Sequence, residues 1–445
     1  MNYVPHTDQE RKKMLETIGV GSVADLFKGI PADMAPKSFD IPEGRSESEV
    51  MEHMRALAGK NTAHLVNFVG GGFYDHYIPA AVDALAGRAE FSTAYTPYQP
   101  EASQGWLQAI YEYQTGICEL TGLDAANASL YDGGTALYEA AMMALRITGR
   151  RKVIVDSGVN LISRTMLYTY TSNLEIEFME TPVSHGQSDR EVIARYLDDK
   201  TAAVILQNPN FFGAVDDHSD IIAKAHSHGA LAILSVYPVS LGMLKPPAEM
   251  GADIATGEGQ SLGIPLSFGG PYLGFMATRE KFIRQMPGRI AGRTVDADGK
   301  RGFVLTLQTR EQHIRREKAT SNICSNQALC ALRASIFLSL MGAAGFQGLA
   351  GLNYEKAEFA KNMLQEIDGV TVKRSSPTFN EFTVMLSRNA DGVVHRMIEK
   401  GIACGFPLGR YYKGMDNYLL IAVTEKRSKE EIVTLAHSLE SVLCS

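Results

Sequence analysis

Short apolar runs alternate with amphipathic segments through the middle of this 445-residue chain. The runs are rich in β-branched residues and predict strands at Lys152–Asp156, Leu174–Met179, Ala202–Gln207, Ala230–Val236, Asp253–Thr256 and Tyr272–Thr278. Helical periodicity separates them, at about 101–121, 135–148, 160–171, 188–198 and 217–228. Continuous apolar strands joined by helices predict a mostly parallel sheet that is covered on both faces.

The segments on either side of this region predict different elements. Residues 1–60 predict an arm of short helices, with capping boxes at Thr7–Glu10 and Ser46–Glu49. After the parallel region, 287–302 has the character of a loop. The C-terminal part predicts a strand at 303–308, long helices through about 366, strands near 370–374, 380–386 and 418–423, and a closing helix at 428–441.

These patterns predict an α/β protein with three parts. They are an N-terminal helical arm (1–60), a large α/β domain with a mostly parallel sheet (61–310) and a small C-terminal α+β domain (311–445). We see no internal repeat and no low-complexity segment in the sequence.

Charge and cysteine content narrow the class of protein. A net charge of −7 and a pI near 5.9 argue against nucleic acid or an anionic membrane as the main partner. The five cysteines form no CxxC pair, so neither a disulfide framework nor a structural metal site is expected. The polar N-terminus and the lack of an uninterrupted run of 18 apolar residues favour a cytoplasmic protein without a membrane span.

A large α/β domain followed by a small α+β domain resembles the layout of fold-type I enzymes that use pyridoxal phosphate (PLP). Such a site needs an amine, an acid, a stacking ring and a helix N-terminus that holds the phosphate. Gly133, Gly134 and Thr135 open a predicted helix and suit a phosphate cradle, although Asp132 before them would repel an anion. The alternative is an ordinary capped turn.

The other requirements fail. Ser235 lies where the fold type places the acid, and a serine cannot hold a pyridinium proton by charge. No lysine occurs between Lys245 and Lys281; Gln260 or Ser261 is nearest the expected lysine position, and neither supplies an amine for a Schiff base. Asn160 lies where a stacking histidine is expected. The sequence therefore predicts a pseudo-active site.

Three stretches carry a more specific resemblance: YTPYQPEASQG at 95–105, QNPNFFG at 207–213 and EQHIRREKATSNIC at 311–324. They resemble the glycine decarboxylase P-protein family of the glycine cleavage system, and within it the alpha chains (subunit 1) of the two-subunit bacterial form. The similarity extends over the whole chain.

The resemblance implies a shared enzyme. The alpha chain pairs with a homologous beta subunit (subunit 2) in an α2β2 assembly, and the beta subunit holds PLP on its own lysine, so that this chain binds none covalently. Glycine loses CO2, and its aminomethyl group passes to the lipoyl arm of H-protein. The alpha chain completes the pocket and helps to dock H-protein.

Two groups of residues are candidates for the shared pocket or the subunit interface. The first is Tyr95, Tyr98, Glu101 and Gln104, where phenols close to a helix N-terminus suit a pocket wall. The alternative is aromatic packing at a domain joint, with Glu101 as a first-turn charge. The second group is assigned to the partner's phosphate or the interface and comprises Arg315, Arg316, Lys318, Thr320 and Asn322. The alternative there is a solvated basic surface.

Two other hypotheses stay open at this point. A non-catalytic scaffold or regulatory pseudoenzyme would show effects of Tyr95, Tyr98 or Thr320 on association alone. A free-standing PLP enzyme with a displaced lysine would be yellow when purified, and the missing acid and lysine argue against it.

Overall fold

The computed structural model describes residues 6–31, 33–34, 38, 40–184, 186–373 and 375–444. They fall into two compact units, Met1–Ala63 and His64–Ser445. The first five residues, on which part of the expectation about a leader segment rests, lie outside the described residues, and so does residue 374 at the end of one predicted strand.

The helices follow one another along both units. They are α1 Asp8–Ile18, α2 Glu47–Ala58, α3 Ala80–Ala86, α4 Gln104–Thr121, α5 Gly133–Thr148, α6 Leu161–Thr171, α7 Arg190–Tyr196, α8 Ser219–Ser227, α9 Gln312–Arg315, α10 Ala328–Gln365, α11 Ala390–Glu399 and α12 Lys429–Cys444.

The strands all belong to the second unit. They are β1 Val66–Asn67, β2 Ala125–Ala126, β3 Lys152–Asp156, β4 Glu177–Thr181, β5 Val183–Ser184, β6 Gln187–Ser188, β7 Thr201–Asn208, β8 Leu231–Val236, β9 Ile254–Glu258, β10 Gly274–Thr278, β11 Ile290–Val295, β12 Arg301–Thr306, β13 Val370–Val372, β14 Glu381–Leu386, β15 Ile402–Ala403, β16 Phe406–Pro407 and β17 Tyr418–Ala422.

The first unit consists of short capped helices. The Thr7 side chain caps α1 and accepts from the Glu10 N–H, while Glu10 returns a bond to the Thr7 N–H, and Ser46 and Glu49 repeat this arrangement at α2. Both predicted capping boxes are therefore confirmed. No side chain of α1 or α2 is buried, so capping rather than core packing holds these helices locally.

The large sheet has the strand order β2-β10-β9-β8-β7-β3-β4. Its five central and outer strands from β9 to β4 are parallel, and β10 runs antiparallel to both of its neighbours. Alternate side chains enter different cores: Val204 and Leu206 of β7 pack on one face, and Ala203 and Ile205 on the other. Burial on both faces explains why these strands are apolar throughout.

The small sheet is antiparallel, with the order β13-β14-β17-β16. Its core includes Val384 and Ile421 from the strands, Ala357 from α10, Val393 from α11 and Leu435 from α12. The small α+β layer predicted for the C-terminal part is thus present, and α10 contributes to one core of the large sheet and to the core of the small sheet.

Helix α10 is the one helix of the described residues that is long and apolar enough to cross a membrane by length and composition. It breaks at Gly342, where the backbone leaves helical geometry. Ala334 and Phe337 pack in the core of the large sheet, and the Arg333 guanidinium pairs with Asp83.

The structure corrects some predicted elements. The segment 287–302 is not a loop, because β11 lies within it and pairs with β12 in a hairpin. Exposed residues from Arg293 onward hide the strand pattern, since only the start of β11 is buried. The strand predicted at Leu174–Met179 is β4 (Glu177–Thr181), and the helix predicted from 101 begins as α4 at Gln104.

Candidate functional site

A cavity of about 400 Å³ lies at the carboxyl ends of the parallel strands. In α/β folds these strand ends, together with the following helix N-termini, form the ligand crevice. The lining residues come from the loop after β1, the turn before α5, the start of α6, the ends of β7, β8 and β9, the loop before β10 and the start of β14. They are Gly72, Phe73, Tyr74, Asp132, Gly133, Gly134, Asn160, Ile162, Ser163, Met166, Gln207, Pro209, Ser235, Val236, Tyr237, Glu258, Gly269, Tyr272, Asn380 and Glu381.

The charged groups of this cavity are all acidic. Asp132, Glu258 and Glu381 line it, and none of the described lining residues is Lys, Arg or His. Aromatic rings make up much of the remaining wall, with Phe73 stacked on Tyr272 at 4.6 Å between ring centroids. The cavity therefore carries negative charge in a largely apolar surrounding.

Glu258 ends β9 and reaches the N-terminus of α5. Its Oε2 accepts a 2.9 Å hydrogen bond from the Gly133 N–H, and its Oε1 accepts from the N–H groups of Gln260 and Leu273, both at 3.0 Å. Burial raises the pKa of Glu258 to about 7, and the charge of Asp132 adds to this, although the three N–H donors oppose it.

Glu381 is the first residue of β14, and its side chain is buried. Its Oε1 accepts a 2.6 Å bond from the Gly71 N–H, and its Oε2 accepts a 2.9 Å bond from the Tyr74 hydroxyl. Burial raises the pKa of Glu381 to about 7 against these two bonds, and burial also raises the pKa of Tyr74 well above its usual range.

Tyr237 lines the cavity and belongs to a chain of polar contacts with His76 and Glu425. Its hydroxyl contacts His76 Nε2, while His76 Nδ1 lies 2.7 Å from Glu425 Oε2. Burial works to raise the pKa of Glu425, but bonds from His76, the Tyr77 N–H and Asn353 outweigh it and hold the pKa at about 2. His76 thus bridges Glu425 and Tyr237 and orients the Tyr237 ring.

Asn160, expected at the position of a stacking ring, is a helix cap. Its Oδ1 accepts from the Ile162 N–H at 2.9 Å, and its Nδ2 donates to the Gly71 carbonyl at 2.7 Å. It therefore fixes the start of α6 against the loop before Tyr74, with no ring to lie over a cofactor.

Gln260 and Ser261, nearest the expected lysine position, are buried but do not line the cavity. The Gln260 amide bonds both backbone groups of Tyr74 and donates to the Ile264 carbonyl. The side chain that faces the cavity from this stretch is Glu258, two residues earlier. Ser235 does line the cavity, as its expected position at the end of β8 requires.

These residues do not fit PLP. The described lining residues offer no amine for a Schiff base, and Ser235 supplies a hydroxyl where a charge is needed. The Gly133 N–H of the predicted cradle is bonded to Glu258, and the Thr135 N–H is bonded to Asp132 Oδ1 at 2.7 Å. A phosphate would meet two carboxylates at the place where it needs donors.

The first group of interface candidates lies at the surface. Tyr95 is 86% exposed and Tyr98 is 49% exposed, while Arg289 donates to the Tyr98 hydroxyl at 3.3 Å. Gln104 bonds both backbone groups of Phe303 at 2.8 Å and so holds the β11–β12 hairpin against α4. Glu101 is exposed, and none of the four residues lines the acidic cavity.

The second group surrounds α9. Arg315, Arg316, Lys318 and Asn322 are exposed, and Thr320 is half-buried. Arg315 donates to the Thr309 carbonyl at 3.0 Å, and the Thr320 N–H donates to the Arg310 carbonyl at 3.0 Å. Within the part of the chain that the structure describes, the Arg316 and Lys318 side chains form no ion pair, so their charges face solvent.

Comparison with known proteins decides the family. The family model described as "Glycine cleavage system P-protein" matches residues 1–439. The chain belongs to this P-protein family. A curated P-protein relative, the probable glycine dehydrogenase (decarboxylating) subunit 1 of Geotalea uraniireducens, is 59% identical over 443 residues, with 100% of both chains covered. The corresponding protein of Maridesulfovibrio salexigens is 56% identical over 443 residues, again with 100% of both covered.

A solved P-protein has the same fold. The crystal structure of glycine decarboxylase (P-protein) of the glycine cleavage system, in inhibitor-bound form, superposes with a TM-score of 0.93 at 44% identity and covers 100% of both chains. A sphingosine-1-phosphate lyase from Burkholderia pseudomallei matches with a TM-score of 0.66 at 14% identity over 92% of both chains, which shows the fold alone. The predicted P-protein resemblance and the fold-type I architecture are therefore confirmed.

Sequence reasoning missed two of the three acidic residues of this P-protein cavity, Glu258 and Glu381. Glu258 lies inside the stretch searched for a lysine, and its position at a strand end was a usable signal. Glu381 gave no local signal, because its partners Gly71 and Tyr74 lie about three hundred residues earlier. The Gly70–Gly72 triplet forms the loop whose Gly71 N–H bonds Glu381.

Proposed function

We propose that this chain is the PLP-lacking subunit of a glycine decarboxylase. With a beta subunit that carries PLP on its own lysine, it decarboxylates glycine and transfers the aminomethyl group to the lipoyl arm of H-protein. The name of its relatives, subunit 1 of glycine dehydrogenase (decarboxylating), supports an activity that is shared with a second subunit. An α2β2 assembly in the cytoplasm is part of the proposal.

The observation that carries the proposal is the acidic cavity. Its described lining residues contain no amine, and Glu258 bonds the Gly133 N–H where a cofactor phosphate would need it. These residues argue against PLP in this cavity and support a Schiff-base lysine on another chain.

The role of this chain's own residues is then to shape a pocket that the partner completes. The exposed Tyr95 and Tyr98 offer phenols that hydrogen-bond and cover apolar surface, and the exposed Arg316 and Lys318 offer unpaired positive charge for a phosphate of the partner's site. Tyrosine, tryptophan and arginine side chains are enriched among the interface residues that contribute most of the binding energy.

The test is glycine-dependent exchange of labelled bicarbonate in the presence of lipoyl H-protein. Three samples are compared: this chain, the beta chain, and an equimolar mixture, each titrated with PLP and followed by its near-visible absorbance. We expect colour only where the beta chain is present, and exchange only in the mixture. Colour and exchange from this chain alone would contradict the proposal, as would full exchange from the beta chain alone.

A further inference from the structure

The carboxylate of Glu258 occupies a convergence of backbone donors. Three N–H groups from separate segments point at it: Gly133 at the start of α5, Gln260 in the turn after β9, and Leu273 before β10. Three N–H donors around one anion are the arrangement by which proteins hold phosphate or sulfate at a helix N-terminus. Here the anion is a side chain of the protein itself.

Strand β9 and the start of α5 pack closely against each other. A Cβ added to Gly133 would lie 3.0 Å from both the backbone nitrogen and the Cβ of Glu258, so β9 and the start of α5 are already in contact. The neighbouring Asp132 takes the Thr135 N–H at 2.7 Å and adds a second negative group. The Gly133 and Thr135 N–H groups at this helix start are therefore satisfied within the chain.

We propose that Glu258 is a built-in occupant of the anion cradle and is the residue that excludes phosphate-bearing ligands from this cavity. The excluded class is the phosphate monoester dianion, whether free phosphate or the phosphate of pyridoxal phosphate. This proposal concerns only the contacts of this chain and does not rest on the proposed function.

Removing the side chain should turn the cradle into an anion site. In Glu258→Ala the donors of Gly133, Gln260 and Leu273 lose their acceptor, and buried donors without a partner favour any anion that reaches them. Glu381→Ala is the matched control, because Glu381 has the same charge and lines the same cavity but bonds Gly71 and Tyr74 instead.

The experiment uses the full chain at pH 8, above the raised pKa of about 7 of Glu258. Binding of inorganic phosphate, pyridoxal phosphate and pyridoxal is measured by isothermal titration calorimetry, and the thermal midpoint is measured with and without phosphate. For Glu258→Ala we expect a dissociation constant for phosphate that is at least tenfold lower than for the parent chain. The dissociation constant for pyridoxal phosphate should fall by a similar factor, and that for pyridoxal, which has no phosphate, should not change. Phosphate should also raise the midpoint of this variant more than that of the parent.

Glu258→Ser is a second variant that fills more of the space and keeps a hydroxyl, in case the alanine variant does not fold. The proposal is overturned if folded Glu258→Ala or Glu258→Ser gains no phosphate affinity, if the parent binds phosphate equally well, or if Glu381→Ala gains as much. A failure here would leave the subunit-mixing result unaffected, so the two proposals are tested separately.

Discussion

The Tyr74 hydroxyl donates a 2.9 Å hydrogen bond to Glu381 Oε2, and the two residues are 307 positions apart in the chain. This bond joins the loop after β1 to the first residue of β14 in the small sheet. Both side chains are buried, so neither has water as an alternative partner. The pair is therefore a sensitive probe of how the cavity wall is held together.

Tyr74→Phe removes the donor and leaves the Glu381 oxygen buried without its partner. We expect the free energy of unfolding to fall by about 1–3 kcal/mol at pH 8, because a buried acceptor that loses its bond keeps its desolvation cost. Urea unfolding measures this. Tyr95→Phe is the control, since the Tyr95 side chain is 86% exposed, and a change equal to that of Tyr74→Phe would contradict the interpretation.

Stability should decrease as pH rises from about 4.5 to about 7. The pKa of Glu381 is raised from 4.5 to about 7 by burial, so the folded chain binds more protons than the unfolded chain between these values. The stabilisation from the protonated group is full below pH 4.5 and is lost as pH approaches 7, by about 3 kcal/mol as an order of magnitude. Glu381→Gln does not titrate, and its amide still bonds the Tyr74 hydroxyl. Between pH 5.5 and 7.5 it should lose less stability than the parent; equal losses would count against a raised pKa.

Two glycines with left-handed backbone separate the effect of space from that of conformation. Gly213 has φ +90°, and a Cβ there would lie 2.1 Å from the Glu381 carbonyl oxygen, whereas Gly414 has φ +82° with nothing within 4 Å. We expect Gly414→Ala to cost about 1–2 kcal/mol from backbone strain alone. Gly213→Ala should cost more than about 4 kcal/mol or prevent folding, because backbone must move. Similar melting temperatures for the two variants would refute this.

Tyr95 tests whether the exposed aromatic surface serves turnover. Because its side chain is 86% exposed, Tyr95→Ala should change the free energy of unfolding by less than about 0.5 kcal/mol. With saturating beta chain we expect bicarbonate exchange to fall by about tenfold or more, with Tyr77→Ala as the control at 62% exposure. If only the affinity for the beta chain changes, the scaffold hypothesis gains support.

Arg316 tests the predicted contact with the partner's phosphate. Arg316→Gln removes a charge that forms no ion pair within the described residues, and the stability of the isolated chain should not change. We expect the apparent dissociation constant of PLP for the mixed subunits to rise by about tenfold, the worth of a charge-assisted hydrogen bond. Arg293→Gln, an exposed arginine on β11, is the matched control, and an equal effect of both variants would indicate a general charge effect.

Local signals were enough to predict most of the large sheet. The strand predicted at Lys152–Asp156 is β3, and the helix predicted at 160–171 is α6 (Leu161–Thr171). Both are set by a few adjacent residues, since burial on two faces demands an apolar run and a capping side chain such as Asn160 marks a helix start. The hairpin β11–β12 was not predicted, because the second half of β11 is exposed and the strand carries no continuous apolar run.

The sequence by itself determined the fold type, the family and the absence of a lysine between Lys245 and Lys281, because each depends on residues close together in the chain. Only the tertiary structure decided that Glu258 accepts a hydrogen bond from the Gly133 N–H, 125 positions away, and that the Tyr74 hydroxyl donates to Glu381 across 307 positions. Periodicity and motifs report neighbours in sequence. A cavity is made where distant segments converge, and the burial that shifts its pKa values exists only once those segments have packed.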